Sequence, residues 1–151
     1  MAAYFLDSSA ILKLYVEEPG SDAVETFVQY AAPGDVAISR FATVEVISGL
    51  VRRTRGGDIT EEDLQKALVF FDEDVEGRFG VLELGGAVFF GARSLVLHHG
   101  LKAADAIHLA CALLAAGDRK KDGGFTLVSS DLELNAAAES EGLTVFNPVQ
   151  V

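Results

Sequence analysis

Four acidic residues occupy positions from which carboxylates could act together: Asp7 in "AYFLDSSAIL", Glu45 in "FATVEVISGL", Asp105 in "LKAADAIHLACAL" and Asp131 in "TLVSSDLELN". Asp7 and Asp131 follow short apolar runs and open helical patterns; Glu45 and Asp105 stand near the starts of apolar helices. In the last of these helices Ala103, Ile107, Ala110, Cys111 and Leu114 form an apolar stripe, and at 100° per residue Asp105 falls opposite its centre. In the helix of Glu45 the stripe is Val44, Ile47, Leu50 and Val51, and Glu45 projects away from it beside Gly49 and Arg52. Each acid also has an ordinary structural explanation. Asp7 and Asp131 suit helix N-caps, Asp105 suits the positive end of a helix dipole, and Glu45 suits a solvated face. Gathered at one end of several neighbouring elements, however, four carboxylates repel one another unless a cation or protons neutralise them. An all-oxygen set with no Cys or His cluster favours Mg2+ or Mn2+ over Zn2+. His108, three residues after Asp105, is read as a helical histidine at the edge of the core. His98 and His99 read as helix C-terminal residues complementing the dipole, and the lone Cys111 as a small core hydrophobe.

The elements that must carry these acids alternate along the chain. "AYFL", "VAIS", "FGVLEL", "FTLVSS" and "LTVFN" are short apolar runs of strand type, separated by helical patterns. Ser21 or Asp22 can cap the helix after "EEPG", and Thr60 with Asp63 has the spacing of a reciprocal capping box. "GAVFFGARSLVLHHG" reads as a buried helix stopped by Gly100. Helices alternating with continuous apolar strands predict an α/β fold, a parallel sheet of about five strands with helices on both faces. In such sheets ligands bind beyond the carboxyl ends of the strands, where Asp7 and Asp131 lie.

The 151 residues predict one domain spanning 1–151, since a core of this size is adequate and neither repeats nor linkers interrupt it. No unbroken apolar run approaches the roughly 20 residues of a membrane span, and the N-terminus lacks the pattern of a secretion signal, so a cytoplasmic protein is expected. A net charge of −11 argues at first against a nucleic-acid partner, because phosphates are bound through Lys and Arg.

Together "FLDSSAILKLY", Glu45 in the helix after the second strand, "LKAADAIHLACAL" and "TLVSSDLELNAAAESEGLTVFNP" resemble the PIN domain family, specifically the small toxins of bacterial and archaeal toxin–antitoxin pairs. The likeness runs in order from Tyr4 to Pro148; the middle, from Gly56 to Gly100, carries no family signature. The resemblance implies a Mg2+- or Mn2+-dependent endoribonuclease, with Asp7, Glu45, Asp105 and Asp131 as the four family acids. It implies that Asp7, Asp105 and Asp131 hold metal, that Glu45 completes the pocket, and that Ser9 and Ser129 support it by hydrogen bonding. Which acid serves as general base stays open. It also implies a homodimer, an antitoxin partner and an RNA substrate. The charge objection then weakens, since metal offsets four negative charges and RNA can follow local positive patches. "RRTR" and "RKK" supply basic runs; Lys13, Arg40, Arg52 and Arg55 are the expected RNA contacts. Two other acidic Mg2+ pockets fit less well. A receiver-like phosphoacceptor expects paired acids after the first strand, where Leu6 precedes Asp7, and a HAD-type phosphatase expects Asp-x-Asp, where this chain has Asp7, Ser8, Ser9. A catalytically silent scaffold of the same fold, acting only as a binding module, is the non-enzymatic alternative.

Overall fold

Successive side chains of a strand point to opposite faces of its sheet, and the short strands of this protein are apolar on both. Phe5, Ala37 and Leu127 point to one side, Leu6, Ile38 and Val128 to the other. Such strands are stable only when both faces are covered. The computed structural model, which describes residues 2–150, provides that cover. Strands β1 (Tyr4–Leu6), β2 (Val36–Ser39), β3 (Gly80–Leu82), β4 (Thr126–Val128) and β5 (Thr144–Phe146) form one parallel sheet in the order β3-β2-β1-β4-β5. Helices α1 (Ser8–Leu12), α2 (Ser21–Tyr30), α3 (Ala42–Arg55) and α4 (Glu61–Gly77) cover the Leu6 face. Helices α5 (Gly86–His99), α6 (Ala103–Ala116) and α7 (Leu132–Ser140) cover the Phe5 face, and a 3-10 turn (Gly117–Asp122) leads from α6 to β4. This is the expected α/β architecture.

The winding places the site. From β1 the chain moves outward through β2 to β3, then crosses to the far side of β1 for β4 and β5. The direction reverses between β1 and β4, and the helices leaving those two strands part to opposite faces. A crevice opens at their carboxyl ends. Asp7 directly follows β1, and Asp131 follows β4 after Ser129 and Ser130.

Several local expectations need correction. Helix α2 is capped by Gly20 at φ 93°, not by Ser21 or Asp22. A Cβ on Gly20 would meet the Pro148 carbonyl oxygen at 3.1 Å. Ser21 turns inward, its Oγ donating to the Val16 carbonyl (3.1 Å) and accepting from the Glu18 N–H (3.0 Å). The Thr60–Asp63 capping box forms as expected. Helix α5 is not buried all round: Phe90 and Leu97 are 74% and 89% exposed, and Val88, Ala92 and Leu95 form its inner face. Each apolar stripe holds only in part: Leu50, Ala110 and Cys111 are buried as expected. Val44 and Ile47 are exposed, and α3 packs through Ala42, Val46, Gly49 and Leu50. Ala103 and Leu114 are exposed on α6, whose middle is buried on nearly every side from Ala106 to Ala112.

Gly49 has a specific reason to lack a side chain. A Cβ there would lie 2.8 Å from Leu12 Cδ1, so the glycine leaves room for the end of the Leu12 side chain where α1 and α3 meet. Ser8, at the start of α1, lies within hydrogen-bonding reach of Glu45.

Candidate active site

Asp7, Glu45, Asp105 and Asp131, which lie far apart in sequence, line one cavity of about 310 Å3 at the reversal of the sheet, together with Ser8, Ser9, Lys13, Glu18, Arg52, Arg53 and His108. The largest of the described cavities, about 720 Å3, lies elsewhere, against Tyr15, Phe70 and Asp74, and contains none of the four acids.

Asp7 is buried and held from three directions. Its Oδ1 accepts from Ser9 Oγ (2.6 Å) and from the Ala10 N–H (3.0 Å), and its Oδ2 accepts from Ser129 Oγ (2.7 Å). Burial raises its carboxyl above the usual carboxylate range, and the three hydrogen bonds oppose this without cancelling it. Ser129 Oγ also accepts from the Asp131 N–H (3.1 Å), and Ser9 Oγ from the Ser130 N–H (3.2 Å). The two serines thus lock the turn after β4 against the turn after β1. Asn135 reinforces the lock by donating to the Ser129 carbonyl (2.8 Å).

Asp131 accepts the Leu134 N–H (3.0 Å) as N-cap of α7, just as Asp7 caps α1. The capping explanation and the pocket placement are therefore both correct for these two acids. Asp105 is in the first turn of α6 and half-buried; burial first, then the charges of Asp131, Asp7 and Glu45, push its carboxyl up to about 6. The charges that act on it belong to the other three acids lining the same cavity.

Glu45 behaves differently. Burial would raise its carboxyl, but hydrogen bonds from His108 and Ser8 and the charge of Arg52 bring it below the usual range. Ser8 Oγ donates to Oε1 (2.8 Å), and His108 Nε2 contacts the same oxygen. No hydrogen bond reaches Oε2 among the described residues. His108 is not at the edge of the core; it is 1% exposed, and its Nδ1 lies 3.0 Å from Ser39 Oγ. Sequence reasoning missed this role because its partners are 63 and 69 residues away; a polar ring on the buried middle of an apolar helix was the available signal.

The four expected cationic contacts divide. Lys13 lines the cavity but is 6% exposed, its Nζ held by Glu18 Oε1 at 3.0 Å. Arg52 lines the cavity and donates to Ser48 Oγ (2.9 Å). Arg40 stands outside, its Nε on Glu83 (3.1 Å), and Arg55 is exposed and also outside. Arg53, a member of the same basic run, does line the cavity and bonds the other oxygen of Glu18 at 3.0 Å. Glu18 would be raised by burial, but Lys13 and Arg53 lower it below the usual range.

The model of the PIN domain family matches residues 4–140. The chain belongs to that family. Ribonuclease VapC45 of Mycobacterium tuberculosis (strain CDC 1551 / Oshkosh) is 34% identical over 146 residues, covering 96% of this chain and 95% of its own length. Ribonuclease VapC46 of Mycobacterium tuberculosis (strain ATCC 25618 / H37Rv) is 34% identical over 149 residues, covering 98% and 99%. Among solved structures, FitAcB from Neisseria gonorrhoeae superposes with a TM-score of 0.64 at 20% identity, covering 98% of this chain and 99% of that one. A toxin–antitoxin complex from Klebsiella pneumoniae gives 0.61 at 19% identity, covering 96% and 97%. At these identities the two structures speak for the fold.

Proposed function

We propose that this chain is an endoribonuclease of the toxin type, hydrolysing RNA phosphodiester bonds at the cavity between β1 and β4 with the help of Mg2+ or Mn2+. The observation that carries the reading is the meeting of Asp7, Glu45, Asp105 and Asp131 with Arg52, Arg53 and Lys13 in one crevice. Near full-length similarity to proteins named ribonucleases supports it.

The donor chemistry fits a hard dication: carboxylates and hydroxyls, with Asp105 raised to about 6 by burial and by neighbouring negative charge that a cation would relieve. Among the described residues, no three of His, Cys, Asp and Glu stand close enough to form a complete ligand set by themselves. Asp7, Asp105 and Asp131 would hold the ion with water completing its shell, which is the habit of Mg2+. Such an ion, when bound, supplies charge neutralisation at the phosphoryl oxygens and a more acidic attacking water. Ser9 and Ser129 hold the Asp7 carboxylate in place at the cavity. Glu45, ionised and with Oε2 unengaged, can orient a water by accepting its proton in a hydrogen bond. Arg52 and Arg53 flank the cavity and can receive the phosphates on either side of the scissile bond.

An antitoxin partner, a homodimer and a cytoplasmic site of action complete the reading. The exposed Phe89, Phe90 and Leu97 on α5 supply an apolar face of the kind a subunit interface uses. Among the described residues no single helix is long and apolar enough to cross a membrane. The test incubates purified protein with a pool of structured RNAs, with Mg2+ or EDTA. Cleavage is expected only with the metal, and is expected to disappear in folded Asp7→Asn, Glu45→Gln and Asp105→Asn. Wild-type cleavage by folded Asp105→Asn would overturn the site assignment.

A further inference from the structure

Glu45 is the acid of this site whose position depends most on residues outside the turns after β1 and β4. Its Oε1 is met by Ser8 Oγ and by His108 Nε2, and the imidazole behind it is enclosed. The rings of Phe5 and Phe41 stand at centroid distances of 6.4 and 5.9 Å from that of His108. The far nitrogen, Nδ1, lies 3.0 Å from Ser39 Oγ at the carboxyl end of β2, and Ser39 is fully buried. Ser39 Oγ in turn accepts from the Ala42 N–H (3.2 Å) at the start of α3, three residues before Glu45.

Which way each imidazole bond runs depends on the tautomer of His108, and the donors and acceptors around it bear on that choice. The Ser39 hydroxyl proton has no acceptor among the described residues other than His108 Nδ1. A fully buried hydroxyl left without an acceptor is costly. At the other end a carboxylate oxygen can only accept, so a bare Nε2 would set two lone pairs against each other. Both ends select the same tautomer. We infer that Ser39 and His108 are positioning residues for Glu45: Ser39 donates to Nδ1, the Nε2 proton is presented to Oε1, and the carboxylate is thereby turned with Oε2 towards the cavity. Because β2 supplies Ser39, α6 supplies His108 and α3 supplies Glu45, the relay also fixes α3 against the strand end and against the helix that carries Asp105. It deepens the ribonuclease reading and rests on it for its catalytic consequence, while the tautomer itself is independent of any activity.

Two measurements test it. In 15N-labelled wild-type protein without metal, long-range 1H–15N correlations of the imidazole should show His108 protonated at Nε2 and bare at Nδ1. A proton on Nδ1, with or without one on Nε2, would overturn the inference whether or not the protein cleaves RNA. In the cleavage assay, His108→Met, which fills the space without a donor, should lower kcat by about ten- to a hundredfold with KM little changed, the usual scale for removing an outer-shell partner. His108→Gln, which restores an N–H near the Nε2 position, should recover most of that loss. Equal losses in the two variants at equal thermal stability would reduce His108 to a packing residue and overturn the positioning role. A wild-type protein that cleaves no RNA would count against the proposed function, and the correlation spectrum would still decide the tautomer.

Discussion

Replacing Asp105 with Asn should make the metal-free protein more stable near neutral pH, the reverse of what a helix-start aspartate normally does. Its carboxyl ordinarily titrates at 3.8 and here stands at about 6, so ionising it inside the fold is disfavoured by about 3 kcal/mol. The side chain is only half-buried, and solvent screening reduces that to about 1–2 kcal/mol. Against it stands the favourable interaction of a charge in the first turn of α6 with the helix dipole, about 0.3–1 kcal/mol. Repulsion and burial win, and the substitution should gain about 1 kcal/mol. The sign follows from linkage: a carboxyl raised in the fold leaves stability intact below 3.8 and removes it as pH rises from 3.8 through about 6. The advantage of the amide should therefore grow across that window and level off above it. Thermal melts of both proteins in EDTA, at a series of pH values, read it directly. Saturating Mg2+, at about 100 times its dissociation constant, should then stabilise wild type by roughly 2.7 kcal/mol and the variant much less. An Asp105→Asn variant that melts lower than wild type in EDTA at neutral pH, or that responds equally to Mg2+, would refute the reasoning.

Ser129→Ala removes the donor to Asp7 Oδ2 and the acceptor for the Asp131 N–H, and should cost about 1–3 kcal/mol of stability by thermal or urea melts. Gly49→Ala sets a Cβ 2.8 Å from the end of the Leu12 side chain, which must turn aside; the ~1 kcal/mol gained in helix propensity should offset that displacement, and a Tm close to wild type is expected. Glu18→Gln loosens Lys13 and Arg53. Because the Glu18 carboxyl is lowered in the fold, its contribution is present above 4.5 and lost as pH falls, so the variant should melt below wild type at neutral pH and match it in acid. Arg52→Ala and Arg53→Ala should each weaken RNA binding across sequences and reduce its salt slope by about one, whereas Arg55→Ala, outside the cavity, should leave the slope unchanged.

The strands were legible because each is a short apolar run bounded by polar turns, and parallel pairing follows from the helices between them. The acids after β1 and β4 were legible for the same reason: a strand end followed by a helix start is a fixed point in an α/β chain. The helix faces were not. Hydrophobic periodicity finds a buried face only when the opposite face is polar, and α6 is apolar all round, so its stripe could be drawn almost anywhere. In α3, exposed Val44 and Ile47 carried the apolar signal, while the true contact with Leu12 is made by a glycine, which has no hydropathy to contribute. The basic run from Arg52 to Arg55 was visible, but which member turns inward depends on the position of Glu18, a residue on the other side of α2 in sequence. His108 required knowing that three separate segments meet.

The crevice itself is made by the reversal of winding between β1 and β4 and not by any of the side chains within it. Neutralising the acids would therefore leave its walls standing, with Arg52 and Arg53 still at the rim. A protein carrying both Asp7→Asn and Asp131→Asn keeps an amide oxygen at each position to cap α1 and α7, since asparagine caps a helix about as well as aspartate. It would present RNA with less repulsion than the metal-free wild-type protein does. It would hold its target and not release it by cutting. Crosslinked to cellular RNA, such a protein would serve as a trap, and the sequences it retained would report the specificity of the active form.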